Sequence, residues 1–168
     1  MDNEAFNVSG STLRATNNLN FESKSSYTVR VRSIDQSGLF TEKVFTISVT
    51  DINEVPTDVS LTQSTIAENA GTNSTVGTLS TLDADTANFF TYTLVTGTGD
   101  TDNGAFNVSG STLRATNNLN FESKSSYTVR VRSTDQGGLF TEKVFTISVT
   151  DINGEDPDRH LSNSIQDC

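Results

Sequence analysis

The sequence repeats itself almost letter for letter at an interval of 100 residues, because residues 2–53 return as residues 102–153. Only three positions differ between the two copies, namely Glu4/Gly104, Ile34/Thr134 and Ser37/Gly137. Solenoid repeats are much shorter, whereas a period of this length is typical of one small β-sandwich domain. The sequence therefore predicts a complete unit over residues 54–153 and the C-terminal half of another unit over residues 1–53.

The complete unit is predicted to be all-β. Val, Thr, Ile and Phe favour strands, while the abundant Asn, Asp, Gly and Ser favour turns. Several segments alternate apolar and polar residues with period two, as strands with one buried face do. The strand candidates are residues 58–67, 75–81, 89–95, 105–108, 112–116, 126–133 and 143–151. Seven short strands in about 100 residues predict a seven-stranded Greek-key, immunoglobulin-like sandwich.

Residues 54–101 have two possible partners, the segment before them and the nearly identical segment after them. The connection from Asp51 to Pro56 spans at most roughly 20 Å, too short to run from one pole of a sandwich to the other. We therefore predict that residues 54–101 pair with residues 102–153. Residues 1–53 then lack covering strands, and three outcomes stay open: loose order, exchange with a second copy, or completion by sequence outside this chain.

Composition and charge exclude several classes of function. The formal net charge of −10 and the pI of about 4.3 argue against a nucleic acid or an anionic membrane as partner. No run of apolar residues is long enough to span a membrane. The repeats contain no His to activate a nucleophile, so we expect no enzyme. The only His and the only Cys lie in residues 154–168, a segment without strand pattern that we expect to be disordered.

Acidic residues gather where basic ones are missing. Residues 52–113 contain no Lys or Arg but hold seven carboxylates, at Glu54, Asp58, Glu68, Asp83, Asp85, Asp100 and Asp102. Like charges without internal counter-charge indicate an external cation. Oxygen ligands alone favour a hard cation, and Ca²⁺ accepts irregular geometry that Mg²⁺ does not. A solvated acidic face stays open as the simpler interpretation.

The order of these acidic motifs along the chain resembles the cadherin repeat, in its bacterial cadherin-like form. The resemblance covers residues 54–153 completely and the C-terminal half of a repeat in residues 2–53. Its motifs are "IAEN" around Glu68, "LDAD" at 82–85, "LNFE" at 19–22 and 119–122, "STDQGG" around Asp135, and "DINEVP" at 51–56. The resemblance implies a cadherin-like sandwich in tandem.

The resemblance also implies calcium ligands at the junctions between repeats. At the upper junction these are Glu22, Asp51, the Ile52 carbonyl, Asn53 and Glu54, followed by Asp83, Asp85 and Asp135. At the end of the complete unit they are Glu68, Glu122, Asp151 and Asn153. Some positions depart from the family, because Asn20 and Asn120 stand where a carboxylate is usual and Gly154 replaces Glu54. We expect at most two ions at residues 51–54, partial occupancy at 151–153, and affinities toward roughly 10⁻⁴–10⁻³ M.

The function implied by the resemblance is structural and adhesive. Ca²⁺ would rigidify the junction of an extracellular or cell-surface repeat protein, bacterial in origin, whose partners are other cadherin-like repeats or itself. Two alternatives stay open. One is a polysaccharide-binding accessory module of an extracellular enzyme or matrix protein, and the other is a spacer that needs no calcium.

Overall fold

The computed structural model describes residues 1–86 and 89–152, which form two compact units. The first unit is Met1–Glu54 and the second begins at Val55. The expected ligand Asn153 and the expected disordered tail lie outside the described residues. No helix within the described ranges has the length and hydrophobicity that a transmembrane span requires.

The first unit consists of two hairpins preceded by a 3₁₀ turn at Asn3–Ala5. Its strands are β1 (Phe6–Ser9), β2 (Thr12–Ala15), β3 (Ser26–Ile34) and β4 (Phe40–Ser48). In the described part of the chain β1 pairs antiparallel with β2, and β3 pairs antiparallel with β4. Gly10 closes the first hairpin with a φ of 62°, a conformation that glycine adopts without steric cost. Each hairpin is therefore a separate two-stranded sheet.

The second unit is a sandwich of two four-stranded sheets. Its strands are β5 (Asp58–Leu61), β6 (Thr65–Ala67), β7 (Thr75–Leu82), β8 (Thr91–Leu94), β9 (Phe106–Ser109), β10 (Thr112–Ala115), β11 (Ser126–Thr134) and β12 (Phe140–Thr150). One sheet has the order β5-β7-β10-β9 and the other β6-β12-β11-β8. All pairs are antiparallel except β6 with β12, which run parallel. The predicted all-β, immunoglobulin-like sandwich is confirmed.

The first strand candidate, residues 58–67, is not continuous as predicted. It divides into β5, which joins β7, and β6, which joins β12 in the opposite sheet. The chain crosses between the sheets at Gln63, whose backbone approaches Gly77 closely. A Cβ at Gly77 would lie 2.6 Å from the carbonyl oxygen of Gln63, so only glycine fits there without movement. Because of this crossing, residues 58–67 supply one strand to each of the two sheets.

The core of the second unit lies between its two sheets. Strands from both halves contribute, and the buried apolar residues are Val59, Ile66, Val76, Leu79, Phe106, Leu113, Ala115, Leu119, Val129, Val131, Ile147 and Val149. Four of them come from residues 55–101 and eight from residues 102–152. The strands of 55–101 therefore cover the inner faces of β9–β12, as the sequential pairing predicts.

The same sequence is much less buried in the first unit. Phe106, Leu113, Val131 and Ile147 are buried, whereas their counterparts Phe6, Leu13, Val31 and Ile47 are each only half-buried. Among the described residues of Met1–Glu54, Val29 is the single hydrophobic residue that is fully buried. The strands are alike, so the difference arises because nothing equivalent to β5–β8 is present in residues 1–53.

Candidate metal sites

The second unit carries an acidic cluster formed by Glu68, Glu122 and Asp151, here called the second-unit cluster. One carboxylate oxygen of each residue lies within 4.8 Å of the other two. Ala67 and Thr150 are paired at the ends of the parallel strands β6 and β12. The next residues along these strands, Glu68 and Asp151, therefore lie side by side.

Glu68 is the fixed member of the second-unit cluster. It is 1% exposed, although isolated buried carboxylates are costly. Its Oε2 accepts a hydrogen bond from the backbone N–H of Phe121 at 3.1 Å. Its Oε1 accepts one from the N–H of Ile152 at 3.2 Å. These two bonds compensate the lost hydration and hold the carboxylate beside the more exposed Glu122 and Asp151.

The first unit carries a related cluster formed by Glu22, Asp51 and Glu54, here called the first-unit cluster. One carboxylate oxygen of each lies within 4.8 Å of the others. The Nδ2 of Asn20 donates to Glu22 Oε2 at 2.7 Å, while its Oδ1 accepts from the N–H of Ser23 at 2.6 Å. Asn20 therefore orients Glu22 and closes a turn, a role that the sequence did not reveal.

The two clusters are variants of one arrangement. Glu22 and Asp51 correspond, 100 residues earlier, to Glu122 and Asp151. The third carboxylate differs. It is Glu54, the last residue before the second unit, in the first-unit cluster, and Glu68 in the second-unit cluster. Each cluster thus has three carboxylates within one small volume, two of them from repeated segments and the third from segments that are not equivalent.

Asp83, Asp85 and Asp135 all belong to one pole of the second unit. Asp83 follows β7 and Asp135 follows β11. Thr81 and Ser133 precede these aspartates by two residues each. Their hydroxyl oxygens lie 2.6 Å apart, so β7 and β11 end close together. Since β12 runs antiparallel to β11, this pole is opposite to the second-unit cluster. Three predicted ligands therefore share one end of the domain.

The carboxylates at this pole also have local structural contacts. Asp135 is 5% exposed, and its Oδ1 accepts the N–H of Leu139 at 2.9 Å across the turn into β12. Asp83 Oδ1 accepts the N–H of Asp85 at 3.1 Å. Asp83 Oδ2 is buried and has no hydrogen-bond partner among the described residues. Buried polar atoms are usually satisfied, so this oxygen retains the capacity to accept a water or a cation.

The remaining predicted ligands lie in the connection between the units. Ile52 exposes 71% of its surface. Asn53 donates from Nδ2 to the carbonyl oxygen of Glu54 at 3.3 Å. The donor set of the candidate sites consists of carboxylate, carbonyl and amide oxygens. That chemistry fits Ca²⁺, which takes six to eight oxygen ligands, and does not favour transition metals.

Two of the seven carboxylates in residues 52–113 do have internal counter-charges, which corrects the expectation from sequence. Lys143 donates to Asp58 at 2.7 and 3.0 Å, and this hydrogen bond lowers the pKa of Asp58. Burial alone would raise the pKa of Asp102. The hydrogen bond and the positive charge of Lys124 have the larger combined effect, so the pKa is lowered overall. Neither Asp58 nor Asp102 belongs to an acidic cluster.

Aromatic side chains of the second unit are engaged in the interior. Phe106 and Tyr127 pack edge to face with ring centroids 5.8 Å apart. The hydroxyl of Tyr92 accepts a hydrogen bond from Thr81 Oγ1 at 2.9 Å. Tyr92 and Tyr127 also pack against the core. These contacts direct the three rings into the sandwich.

Comparison with known proteins identifies the family. The cadherin domain model matches residues 62–150, more than half of the chain. Protocadherin Fat 2 of Mus musculus is 31% identical over 155 residues, which cover 87% of this chain and 4% of the mouse protein. The human protocadherin-24 EC1-2 structure has a TM-score of 0.70 at 20% identity, covering 89% of this chain and 78% of that one. The structure of protocadherin gamma B2 extracellular cadherin domains 3-6 has a TM-score of 0.67 at 22% identity. The match covers 89% of this chain and 37% of that one. These structures share its fold, and the chain belongs to the cadherin family.

Proposed function

We propose that this chain is a calcium-binding cadherin module in which Ca²⁺ rigidifies the connection between successive repeats. The observation that carries the proposal is the recurrence of a three-carboxylate cluster, with Glu22 and Asp51 in one unit and Glu122 and Asp151 in the next. Carboxylates at such distances repel one another, and a divalent cation removes that repulsion.

Each cluster would supply carboxylate oxygens to the ion. Glu22, Asp51 and Glu54 would bind it at the first junction, with the Ile52 carbonyl and Asn53 as further oxygens. Glu68, Glu122 and Asp151 would bind a second ion less completely, since Gly154 in the sequence offers no side chain in place of Glu54. Affinities toward roughly 10⁻⁴–10⁻³ M, typical of extracellular modules, follow from this limited charge.

The mechanical effect follows from chain connectivity. The chain passes from Asp51 through Glu54 directly into Val55 and the second unit. Without a cation, the carboxylates in this short connection repel one another, and the connection adopts many conformations. A bound Ca²⁺ would restrict them, and Asp83, Asp85 and Asp135 are the further ligands that we propose from the following repeat.

Family membership supports an extracellular, adhesive role with other cadherin repeats, or with copies of this chain, as partners. This chain spans only a small part of the length of its mouse relative, so the partner is part of the proposal. A bacterial origin stays a prediction from the sequence motifs. Beads coated with the chain should aggregate in millimolar Ca²⁺ and disperse in EGTA if the adhesive role is correct.

Calorimetric titration with Ca²⁺ and with Mg²⁺ tests the site itself. The chain should bind Ca²⁺ in the submillimolar to millimolar range and Mg²⁺ more weakly. Glu22→Gln should weaken binding at the first junction. Glu42→Gln is a matched control, because Glu42 binds Arg30 and Arg32 on the sheet surface instead of joining a cluster. Equal loss in both variants, or no binding heat at all, would overturn the calcium assignment.

A further inference from the structure

The outer face of the sheet β5-β7-β10-β9 presents one cation, Arg114 of β10. Its sequence neighbours Leu113 and Ala115 are buried in the core, so Arg114 points away from the core, as alternation along a strand requires. These four strands contain one basic residue, Arg114, and one acidic residue, Asp58. Lys143 already binds Asp58 from the opposite sheet. The sheet therefore offers Arg114 no free counter-charge.

Arg114 differs in this respect from the other basic residues of the second unit. Each of those in the described part of the unit forms an ion pair with a carboxylate, namely Lys124, Arg130, Arg132 and Lys143. Arg114 forms no ion pair and no hydrogen bond with any described residue. Arginine is always charged at neutral pH and is enriched among the residues that dominate protein interfaces. An uncompensated guanidinium on this face is therefore a candidate anchor for an anionic group.

The Arg114 side chain is held in place before any partner binds. The residue is partly exposed, but its Nε is buried and has no hydrogen-bond partner among the described residues. The covered Nε leaves the two terminal Nη atoms as the part that a ligand can approach. Because the covered part of the side chain cannot rotate freely, less side-chain entropy is lost when the Nη atoms bind a partner.

Uncharged polar side chains flank Arg114 on the same face. Arg114 lies opposite Asn107 of β9 and opposite Thr75 of β7 in the register of the sheet. Directly opposed residues of antiparallel strands project to the same side of a sheet. Asn107 Nδ2 donates to Asn73 Oδ1 at 3.0 Å, which holds the two amides beside one another. These neighbours offer hydrogen bonds to a ligand and add no negative charge that would compete for the guanidinium.

The charge balance of the chain favours a ligand with one carboxylate over a polyanion. The planar fork of a guanidinium matches a carboxylate and can bind it with two parallel hydrogen bonds. A polyuronate would bring many negative charges toward a chain with a formal net charge of −10. A single Asp or Glu side chain of a protein brings one negative charge to the one cation of this face.

We infer that Arg114 anchors one carboxylate side chain of a protein partner on the outer face of this sheet, with Thr75, Asn73 and Asn107 as flanking hydrogen-bonding groups. All four residues lie within the second unit, and none of them belongs to an acidic cluster. The inference therefore does not depend on calcium binding.

Nuclear magnetic resonance of the ¹⁵N-labelled full chain, in EGTA and at constant ionic strength, tests this anchor. The probe is the peptide acetyl-Gly-Glu-Gly-amide, and acetyl-Gly-Gln-Gly-amide is its matched neutral control. The Nε–H signal of Arg114 should shift and saturate with the Glu peptide, whereas that of Arg132, which is already paired with Glu142, should not. The Gln peptide should bind at least about tenfold more weakly because it lacks the charge. Both peptides leave the protein unchanged, so this comparison does not depend on the folding of a variant.

Variants of the chain assign the binding to Arg114. Arg114→Gln should abolish the saturable response of the neighbouring backbone amides, and Arg114→Lys should weaken it because an ammonium group lacks the planar fork. Arg14→Gln, at an exposed position of the first unit, should leave the response unchanged. Backbone spectra verify that each variant is folded.

Three results with the peptides would overturn the inference: no saturable shift at Arg114, equal affinities for the two peptides, or full binding by Arg114→Gln. Tighter binding of an oligogalacturonate than of the Glu peptide would also overturn it, since the site would then recognise a polyanion.

Discussion

The Oε1 atom of Glu68 accepts a hydrogen bond from the backbone N–H of Ile152, 84 residues further along the chain. The same buried carboxylate also binds the N–H of Phe121. One acidic side chain therefore joins three segments of the domain and supplies one member of the second-unit cluster. Its structural role and its proposed role as a ligand can be separated by substitution.

Glu68→Gln should destabilise the second unit even without calcium. The amide keeps one acceptor oxygen and places an NH₂ group against the other backbone N–H, leaving a buried donor unsatisfied. The expected loss is about 1–3 kcal/mol in the free energy of unfolding, measured by urea denaturation in EGTA. The exposed Glu122→Gln should change stability in EGTA by less than about 0.5 kcal/mol and should reduce only the response to Ca²⁺. Equal effects of the two substitutions in EGTA would contradict the structural role of Glu68.

Two identical leucines should respond differently to truncation. Leu113 is fully buried in the second unit, and Leu13 is half-buried in the first. Leu113→Ala should cost about 2–5 kcal/mol because it leaves a cavity. Leu13→Ala should cost less than about 1 kcal/mol, since water already reaches that side chain. Amide hydrogen exchange resolves the two units separately, and similar costs would mean that the first unit is covered in solution.

Gly77→Ala should disturb the crossing between the sheets. The added Cβ would lie 2.6 Å from the carbonyl oxygen of Gln63. This oxygen is a main-chain atom and cannot rotate away as the end of a side chain can. The expected cost is about 1–3 kcal/mol, measured by thermal unfolding. Gly104→Ala is the control, because nothing lies within 4 Å of its Cβ position and Glu4 occupies the equivalent place in the first copy. A neutral Gly77→Ala would show that β5 and β6 are not held as described.

Glu142 should make stability depend on acid pH. Hydrogen bonds from Arg132 and Arg130 lower its pKa below the ordinary value of 4.5. A carboxylate whose pKa is lower in the folded state stabilises the fold above its unfolded pKa, and this contribution is lost as pH falls through the folded pKa. Wild type should therefore be more stable than Glu142→Gln at neutral pH, and the difference should shrink below about pH 4.5. A difference that stayed constant down to pH 2 or grew on acidification would contradict this sign.

Much of the fold could be predicted from the sequence because its signals are local and repeated. Period-two alternation in Tyr127, Val129 and Val131 predicts a strand with one buried face, and β11 has it. The resemblance to cadherins is confirmed by the family match, and with it the expectation that the chain is not an enzyme. The nearly exact repetition of a half-domain also predicts that residues 1–53 lack covering strands, and how they are completed stays a prediction.

Other features depend on residues far apart in sequence and could not be predicted from local patterns. The break between β5 and β6 is set by the approach of Gln63 to Gly77, which alternation alone does not show. The counter-charge of Asp58 is Lys143, 85 residues away. The candidate calcium ligands follow from the resemblance to cadherins. Their proximity depends on the fold, which brings Glu68, Glu122 and Asp151 together from distant parts of the sequence. Whether these carboxylates bind a metal stays a proposal.

Thermal unfolding of the full chain in EGTA, in about 10 mM Mg²⁺ and in about 10 mM Ca²⁺ tests the central claim most directly. With dissociation constants of roughly 10⁻⁴–10⁻³ M, mass action predicts about 1.4–2.7 kcal/mol of stabilisation per site by Ca²⁺. That corresponds to a midpoint higher by about 5 °C or more for a unit of this size, with a smaller shift in Mg²⁺. Equal midpoints in EGTA and Ca²⁺ would contradict the account, since a cation bound by the folded state must raise the midpoint.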